Sequence, residues 1–228
     1  MKKLIILTGA GMSSESGIKT FRDSGGLWEE YDVNEVATPE AWDRNRDLVL
    51  HFYNQRRREL EKCVPNAGHY GIAALEKHFD VHVITQNIDN LHERAGSTKI
   101  LHLHGELTKA RSTVDLSLIY DIGYNDINPG DKCAKGSQLR PYIVWFGEAV
   151  PMMDEAVRIT ETADIFVVIG SSLNVYPAAG LINYAPDEAS LWLIDPKEVS
   201  VPLSRNVNVI RAGASEGVAI LSKRLLNS

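Results

Sequence analysis

The sequence predicts an α/β fold in which a doubly wound parallel sheet carries a small inserted module. Short aliphatic runs alternate with segments of helical periodicity over most of the 228 residues. These runs are bounded by glycine or by polar residues, as expected of strands that are buried on both faces. Between 106 and 140 the chain becomes polar and loses its periodicity, which indicates the insert.

The composition is typical of a single globular domain spanning 1–228. Hydrophobic residues make up 44% and charged residues 24% of the chain, and this length allows a sizeable core. The net charge of −6 argues against general binding to nucleic acid, which requires a basic surface. No apolar run approaches the length of a membrane span, so we expect no membrane association.

Cysteine usage indicates a reducing compartment. The chain has two cysteines, Cys63 and Cys133, and two cannot build a disulfide framework. Lys2 and Lys3 precede an apolar run, as in a signal peptide, but that run stops at Leu7 in a glycine turn. We therefore expect a cytoplasmic protein.

The first strand leads into a glycine turn. Leu4 to Leu7 is too short for a helix, and Gly9-Ala10-Gly11 follows it. Two glycines after a strand allow a tight turn and let backbone N–H groups approach a phosphate. The run Ser13-Ser14-Glu15-Ser16 suits the first turn of a helix. The spacing Gly-x-Gly-x-x-Ser departs from the dinucleotide pattern, so an ordinary strand-to-helix turn is the alternative.

A long amphipathic helix is predicted after Thr38-Pro39-Glu40, where threonine is the N-cap and proline the first helical residue. Apolar residues recur at helical spacing from 41 to 60 and place Tyr53 and Arg56 on one face. Spacing alone favours a solvated face, with Arg56, Arg57 and Arg58 paired to Glu59 and Glu61. A second helix is predicted from 67 to 78.

Polar side chains follow the next strands. The strand 81–85 is followed by Gln86-Asn87-Ile88-Asp89-Asn90, at the edge of a parallel sheet where ligands gather. A capped turn would have the same residue types. In Ile100 to Gly105, alternation places His102 and His104 on one face, as metal ligands, as a base, or as structural histidines. His104, at the strand end, is the better functional candidate.

The remaining pattern continues the alternation. The segment 141–148, PYIVWFGE, predicts an extended edge to which another strand could add. The strand 165–169 is followed by Gly170-Ser171-Ser172, just as the strand 4–7 is followed by its glycine turn. Helices are predicted at 154–162, 177–184 and 215–226, and strands at 191–194 and 207–210.

Five motifs together resemble the sirtuins, which are NAD-dependent protein deacylases. They are GAGMSSESGIKTFR, TQNID, HLHGEL, VWFGE and GSSLNVYPAA, in the family's order and rough spacing. The resemblance covers nearly the whole chain and implies a Rossmann-like, NAD-binding sheet with small-module excursions at about 29–65 and 106–140. The FYNQRR, HERAG and VWFGE segments resemble the bacterial and mitochondrial class that prefers acidic acyl groups.

The resemblance implies an NAD site made from separate segments. His104 would be the catalytic base, with Asn87 and Asp89 in the nicotinamide and ribose pocket. Phe21 and Arg22 would form a lid over the ribose. Leu193 stands where the family usually has asparagine, which puts side-chain recognition of the adenosine ribose there in doubt. The implied NAD-binding residues are Gly9, Ala10, Gly11, Met12, Ser16, Phe21, Arg22, Trp28, Gln86, Asn87, Ile88, Asp89, His104, Gly170, Ser171, Ser172, Asn174, Asp195 and Ala214.

The same resemblance implies a site for acylated lysine side chains of proteins, with the peptide bound in extended form. Tyr53 and Arg56 match the residues at the end of the acyl pocket, where a guanidinium can grip a carboxylate in a bidentate way. The solvated face then remains the interpretation for Arg57 and Arg58. The other implied substrate-binding residues are Val144, Phe146, Gly147, Glu148 and Tyr176.

The implied reaction is NAD-dependent deacylation, chiefly desuccinylation or demalonylation with some deacetylation. Its products would be nicotinamide, O-acyl-ADP-ribose and free lysine. An NAD glycohydrolase or ADP-ribosyltransferase would reuse the same pocket, and a non-catalytic NAD or ADP-ribose binding protein is a third possibility. His104 argues against a mere binding protein, and the Tyr53 and Arg56 pair argues against a hydrolase.

The chain departs from the family in its insert. Most sirtuins carry two Cys-x-x-Cys pairs there, whereas 106–140 holds only Cys133. One thiolate cannot make the tetrahedral site of a structural zinc. We therefore expect no zinc and no other bound metal.

Overall fold

The computed structural model describes residues 1–19, 31–199 and 205–227. Six strands form a parallel sheet in the order β3-β2-β1-β7-β8-β9, and three form an antiparallel sheet in the order β5-β4-β6. The predicted doubly wound parallel sheet is therefore confirmed. The strands are β1 Lys3–Thr8, β2 Asp80–Thr85, β3 Ile100–His102, β4 Gly105–Ser112, β5 Ile119–Asp121, β6 Leu139–Ile143, β7 Ile165–Ile169, β8 Ser190–Ile194 and β9 Val207–Ile210.

The central strand shows why the aliphatic runs are continuous. Leu4, Ile5, Ile6 and Leu7 in β1 are each 0% exposed. Leu4 and Ile6 belong to one core cluster, and Ile5 and Leu7 belong to another on the other side of the sheet. Because side chains alternate along a strand, a strand covered on both faces has no polar position.

The helices are α1 Val33–Val36, α2 Pro39–Arg44, α3 Arg46–Lys62, α4 Ala67–Leu75, α5 Leu91–Ala95, α6 Met153–Thr160 and α7 Ala214–Leu226. The prediction of one continuous helix from 41 to 60 is wrong. The backbone of Asn45 is not helical (φ −148°, ψ 75°), and its side chain accepts a hydrogen bond from Leu48 N. Asparagine competes for backbone hydrogen bonds in this way, so it ends α2 and caps α3.

Two other predicted helices are 3-10 segments. Ala10–Met12 and Ser14–Ser16 form two short 3-10 turns instead of an α-helix, and the second ends at Gly17 with a φ of 87°. Ala178–Tyr184 is also 3-10. Glycine and small polar residues give little helical stabilisation by themselves, so packing against neighbouring loops decides the backbone there.

The insert is a small antiparallel sheet. Polar residues hide β4 and β5 from a search for periodicity, because the buried positions of β4 include Arg111 and Ser112 as well as Leu107 and Ala110. Strand β6 pairs on one side only, with β4, so within the described chain it is an edge strand. The extended segment predicted for 141–148 ends at Ile143, and a turn in which Glu148 N donates to Trp145 O follows it. A third core cluster joins this sheet to α1, α2 and α3 through residues such as Val36, Trp42, Leu107 and Trp145.

The connectivity creates a crevice beside β1. The chain moves outward from β1 to β2 and β3, then returns to β7 on the other side of β1 and continues to β8 and β9. In such sheets ligands bind where the strand order reverses, outside the carboxyl ends. Among the residues that the structure describes, no helix is long and apolar enough to cross a membrane.

Candidate active site

The glycines after β1 are needed because two backbones touch. A Cβ on Gly11 would lie 2.7 Å from Gly170 Cα, and a Cβ on Gly170 would lie 2.4 Å from Met12 N. Gly9 N donates to Ile169 O (3.0 Å) and Gly11 N to Gly170 O (2.9 Å). These two N–H groups are therefore engaged within the protein and are not directed at a ligand. The glycines instead bring the turns after β1 and β7 together.

A buried polar group lies at the end of β2. Asn87 Nδ2 donates to Gly9 O (3.0 Å) and to Ser13 Oγ (3.2 Å), and Ser13 Oγ donates to Asp89 Oδ2 (2.9 Å). Leu91 N donates to the other oxygen of Asp89 (3.1 Å). The three side chains are 7%, 1% and 6% exposed in the order Asn87, Ser13, Asp89. The glycine turn and the 86–89 loop are thus joined through Ser13.

Burial raises the pKa of Asp89, although the hydrogen bonds from Leu91 N and Ser13 act to lower it. A buried carboxylate of this kind favours a nearby cationic centre. Ser13 was not among the sequence candidates. Its position in the run Ser13-Ser14-Glu15-Ser16, directly after the glycine turn, is the signal that could have identified it.

His104 is held as a neutral imidazole in which Nε2 is the acceptor nitrogen. Its Nδ1 donates to Gln86 O (2.9 Å), because a carbonyl oxygen can only accept. The neutral ring therefore keeps its lone pair on Nε2. Burial lowers the pKa of His104, and the bond to Gln86 O only partly offsets this. The ring can thus accept a proton near neutral pH.

His102 differs from His104 although both face the 86–89 loop. Its Nδ1 bonds to Asn87 O (3.0 Å) and its Nε2 to Glu93 Oε1 (2.7 Å). Burial acts to lower the pKa of His102, but the Glu93 carboxylate raises it overall. With an acceptor at each nitrogen, His102 is a structural cation that holds the loop.

A second cluster of polar side chains supports the backbone of Asn87. Asn87 N donates to Thr85 Oγ1 (3.0 Å), which also accepts from Thr8 Oγ1 (2.8 Å). His92 Nε2 lies 3.1 Å from Thr8 Oγ1, and the His92 ring contacts that of His69 with centroids 4.8 Å apart. Burial lowers the pKa of His69 to about 4 and lowers that of His92 well below its usual value. Both rings are therefore neutral supports.

These groups surround a cavity of about 480 Å³, a size typical of small-molecule sites. We call Ser13, Gln86, Asn87, Asp89 and His104 its polar wall, and Phe52, Tyr53, Arg56 and Glu59 its α3 wall. The other predicted site residues that line the cavity are Gly9, Ala10, Gly11, Ile88, Gly170, Ser171, Ser172, Asp195, Val144, Phe146, Gly147, Glu148 and Tyr176.

Four predicted NAD-binding residues lie elsewhere. Met12 is 0% exposed in the core, and Ser16 Oγ accepts from Asn66 Nδ2 (3.1 Å). Asn174 is exposed, and Ala214 is buried at the start of α7. None of the four lines the described part of the cavity. Phe21, Arg22 and Trp28 lie outside the described residues.

Two other predictions concern the ends of β7 and β8. Gln86 Nε2 donates to Ser171 Oγ (3.0 Å), which joins the loops after β2 and β7. Asp195 lines the cavity and accepts from Lys197 N (2.8 Å), whereas Leu193 is 1% exposed in the core. The leucine is therefore a packing residue of β8, and the carboxylate after the strand supplies the polar group at this edge.

The α3 wall combines aromatic rings with a buried guanidinium. Trp145 Nε1 donates to Tyr53 Oη (3.0 Å), and burial raises the pKa of Tyr53, so the phenol stays neutral. Arg56 is 9% exposed and lies over the ring of Phe52, 5.3 Å from its centroid. Its Nη2 donates to Glu59 Oε1 (3.1 Å), whereas its Nε and Nη1 have no partner among the described residues.

The neighbouring arginines correct part of the solvated-face interpretation. Arg57 is 0% exposed, and its Nε donates to Leu107 O (2.7 Å). Burial lowers the pKa of Arg57 to about 10. Arg57 therefore ties α3 to β4, and the prediction that it lies on a solvated helix face is wrong. Arg58 is exposed and pairs with Asp126.

Glu148 is a structural latch at the cavity rim. Its carboxylate accepts from Arg140 Nη1 (2.8 Å), Arg111 Nη2 (3.2 Å) and Trp145 N (2.8 Å). Burial acts to raise the pKa of Glu148, but these hydrogen bonds lower it overall. The guanidinium of Arg140 also stacks on Trp145 at 3.3 Å from the ring centroid. The latch fixes the segment that follows β6.

In the small sheet, hydroxyl groups surround the only cysteine of the insert. Ser112 Oγ and Ser137 Oγ lie 3.0 Å apart, and Cys133 Sγ lies 3.1 Å from Ser137 Oγ. Hydrogen bonds from these serines lower the pKa of Cys133 to about 7. Within the described ranges, no group of three or more His, Cys, Asp and Glu residues is arranged to hold a metal ion.

A comparison with protein-family models identifies the family. The Sir2 family model matches residues 9–177, which contain the glycine turn, the 86–89 loop, His104 and the turn after β7. The chain belongs to the Sir2 family.

Individual Sir2 relatives match almost the full chain. An NAD-dependent protein deacylase of Bacteroides thetaiotaomicron is 57% identical over 99% of this chain and 99% of its own length. A solved Sir2 homologue, a point mutant in complex with ADP-ribose, is 38% identical, has a TM-score of 0.91, and covers 99% of this chain and 92% of its own. A Sir2 mutant with p53 peptide and NAD is 28% identical, has a TM-score of 0.80, and covers 99% and 94%.

Proposed function

We propose that this chain is an NAD-dependent protein deacylase that removes malonyl and succinyl groups from lysine side chains and acetyl groups less efficiently. The preference for acidic acyl groups is carried by one observation. A buried arginine in the α3 wall, Arg56, lines the cavity, and its Nε and Nη1 have no partner among the described residues. The same cavity is lined by His104.

The donor set fits NAD as the acceptor of the acyl group. Gly9, Ala10 and Gly11 line the cavity with a turn that carries no side chain larger than a methyl group, and Asp195 offers a carboxylate to hydroxyl groups at the end of β8. Gln86 and Asn87 supply oriented amides at the strand edge. When bound, NAD supplies the ribose carbon to which the acyl oxygen bonds as nicotinamide leaves.

The polar wall is preorganised for this chemistry. Ser13 holds the Asp89 carboxylate, which can fix a carboxamide and stabilise nearby positive charge without rearrangement. His104 Nε2 is the acceptor for a proton from a ribose hydroxyl, because Nδ1 is already committed to Gln86 O. His102 and Thr85 hold the backbone of Asn87, so the amide keeps its position during the transfer.

The α3 wall explains the acyl preference in physical terms. A carboxylate that enters a partly desolvated pocket loses hydration, so it binds well only if charge-assisted hydrogen bonds replace the water. Arg56 supplies those bonds, and the neutral phenol of Tyr53 can donate to the same carboxylate. An acetyl group has no charge and gains nothing from Arg56.

The peptide is proposed to lie in extended form along 144–148. Phe146 is 44% and Tyr176 67% exposed, so aromatic surface is present beside the cavity. Val144 N and Phe146 N donate to His104 O and Ala37 O, which fixes this main-chain edge up to the turn that the bond from Glu148 N to Trp145 O closes. A main-chain edge of this kind recognises peptides with little dependence on sequence. A nucleic-acid substrate is not proposed.

We further infer one catalytic domain that functions in the cytoplasm without structural zinc. The third core cluster joins the helical excursion to the inserted sheet, which supports a single unit. Both cysteines are free thiols, as is usual in reducing compartments. Hydrogen bonds among Ser112, Cys133 and Ser137 stabilise the insert instead of a metal.

The zinc-free proposal predicts that the purified protein keeps its activity and melting temperature in a strong chelator. Elemental analysis should find much less than one zinc per chain, because the insert lacks four ligands. One equivalent of tightly bound zinc, or unfolding on chelation, would contradict the proposal. A zinc-binding sirtuin treated with the same chelator is the positive control.

The decisive experiment is to incubate the protein with NAD and with matched acetyl-lysine and succinyl-lysine peptides. Nicotinamide release and peptide mass are followed together. We expect nicotinamide to form only with acylated peptide, in equal amounts with the free-lysine product, and faster with the succinyl peptide. Nicotinamide release without peptide would indicate an NAD glycohydrolase, and binding without turnover would indicate a non-catalytic protein.

A further inference from the structure

Glu59 bonds to Arg56, the residue proposed to bind the acyl carboxylate. Its Oε1 accepts from Arg56 Nη2 (3.1 Å), and Glu59 lines the same cavity as Arg56 and Tyr53. The Glu59 side chain is 50% exposed, whereas that of Arg56 is 9% exposed. The pair thus joins a buried cation to a carboxylate that reaches solvent.

The geometry leaves Arg56 only partly satisfied. Glu59 engages one terminal nitrogen through one oxygen, and Gln55 Nε2 donates to that same oxygen (3.2 Å). Arg56 Nε and Nη1 have no partner in the described part of the chain. A guanidinium bonds a carboxylate best through two parallel N–H groups, and the pair with Glu59 does not use this mode. An acyl carboxylate that binds Arg56 would therefore share the guanidinium with Glu59.

Two carboxylates on one guanidinium repel each other. An isolated Arg56 would attract an acidic acyl group with its full charge, but Glu59 already neutralises that charge in part. The remaining attraction of Arg56 for a substrate carboxylate is therefore weaker. This weakening affects only substrates whose acyl group carries a distal carboxylate. A neutral acyl group experiences no such change.

We propose that Glu59 is a specificity-determining residue that weakens binding of acidic acyl groups and so narrows the difference between succinyl and acetyl substrates. This inference rests on the proposed function, because it assumes that Arg56 binds the acyl carboxylate. Glu59 acts as an internal competitor. Without an acidic substrate, its carboxylate alone pairs with the guanidinium of Arg56, and in the complex it shares that guanidinium with the substrate carboxylate.

The test is Glu59→Gln, which removes the charge and keeps the size and hydrogen-bonding capacity of the side chain. KM is measured for matched succinyl-lysine and acetyl-lysine peptides at saturating NAD, and peptide affinity is measured by calorimetry. We expect the succinyl KM to fall about two- to fivefold relative to the acetyl KM, the range typical of partly exposed ion pairs.

Glu61→Gln is the matched control. Glu61 is an exposed carboxylate on the same helix and does not line the cavity. Its substitution by glutamine changes the net charge of the protein by the same amount as Glu59→Gln. Its ratio of succinyl to acetyl KM should equal that of the wild type. High salt should reduce the effect of Glu59→Gln, because the group is half exposed.

The variant Arg56→Met separates failure of this inference from failure of the proposed function. If Arg56→Met leaves the succinyl to acetyl ratio unchanged, Arg56 does not bind the acyl carboxylate and the proposed acyl preference is wrong. If Arg56→Met removes the preference but Glu59→Gln leaves or raises the succinyl KM, Glu59 orients Arg56 instead of competing, and the inference is overturned. In the double variant, the effect of Glu59→Gln should disappear.

Discussion

The polar wall and the α3 wall of the cavity are built on different principles. In the polar wall, hydrogen bonds join Ser13 to Asn87 and to Asp89, and His104 Nδ1 donates to Gln86 O. In the α3 wall, buried Arg56 keeps Nε and Nη1 without a partner among the described residues. Buried polar atoms are normally paired, because an unpaired one costs about 1–3 kcal/mol.

This difference separates rigidity from selectivity. A fully bonded group cannot move without losing hydrogen bonds, so the polar wall keeps one geometry through the reaction. An unsatisfied cation instead gains free energy only when a suitable anion arrives. The α3 wall therefore discriminates among substrates, whereas the polar wall treats them alike, and substitutions in the two walls should have different signatures.

The largest effect is expected from His104→Gln in the polar wall. Loss of a general base lowers rates by about a hundred- to ten-thousand-fold, and both the succinyl and acetyl reactions should fall equally. Steady-state kinetics and a thermal melt are the measurements. A variant that keeps more than a tenth of the activity would mean that another group accepts the proton.

His102→Gln is the matched control for that substitution. It makes the same chemical change on the same face of the strand, but removes a partly exposed ion pair with Glu93 instead of an acceptor nitrogen. We expect a lower melting temperature with readily measurable turnover. Equal loss of turnover in the two variants would contradict the assignment of His104 as the base and His102 as a structural residue.

A smaller and selective effect is expected from Arg56→Met in the α3 wall. Charge-assisted hydrogen bonds contribute about 1.5–3 kcal/mol, so kcat/KM for the succinyl peptide should fall about ten- to a hundredfold. The acetyl reaction should change much less. Arg58→Met, which replaces an exposed arginine on the same helix, should alter neither reaction. A parallel loss of both activities in Arg56→Met would indicate a structural role.

The smallest effect is in the pH dependence. Burial lowers the pKa of His104 below 6.5, and the neutral ring is the active form, so activity falls as the pH drops through that lowered value. The kcat/KM profile for the acetyl peptide should therefore have an acid limb with its midpoint below pH 6.5. The acetyl peptide is chosen because it has no titrating acyl carboxylate. A midpoint above that value would contradict the assignment.

Much of the sheet could be predicted because its strands are buried on both faces. Leu4 to Leu7 and 165–169 read as continuous aliphatic runs, and this pattern has few alternatives. The strands β4 and β5 could not be found in this way, since they lie in a small sheet with much polar surface. The break at Asn45 was missed because apolar periodicity continues across it.

The site residues likewise divide into those whose place follows from the predicted sheet and those whose place does not. Gln86, Asn87 and Asp89 follow a predicted strand, so their place at the sheet edge is a consequence of the fold class. Ser13 could not be assigned, because its partners Asn87 and Asp89 lie 74 and 76 positions away in sequence. Arg57 was misjudged because helical spacing does not say which element covers a face.

The sequence alone determined the doubly wound sheet, the order of its motifs and the residue types at its edge, because these depend on local periodicity and on turns. Only the tertiary structure decided which of three consecutive arginines lines the cavity, which ties α3 to β4 and which is exposed. The reason is that desolvation depends on what packs against α3, and those neighbours come from β4, from the segment after β6 and from the loop near Asp126.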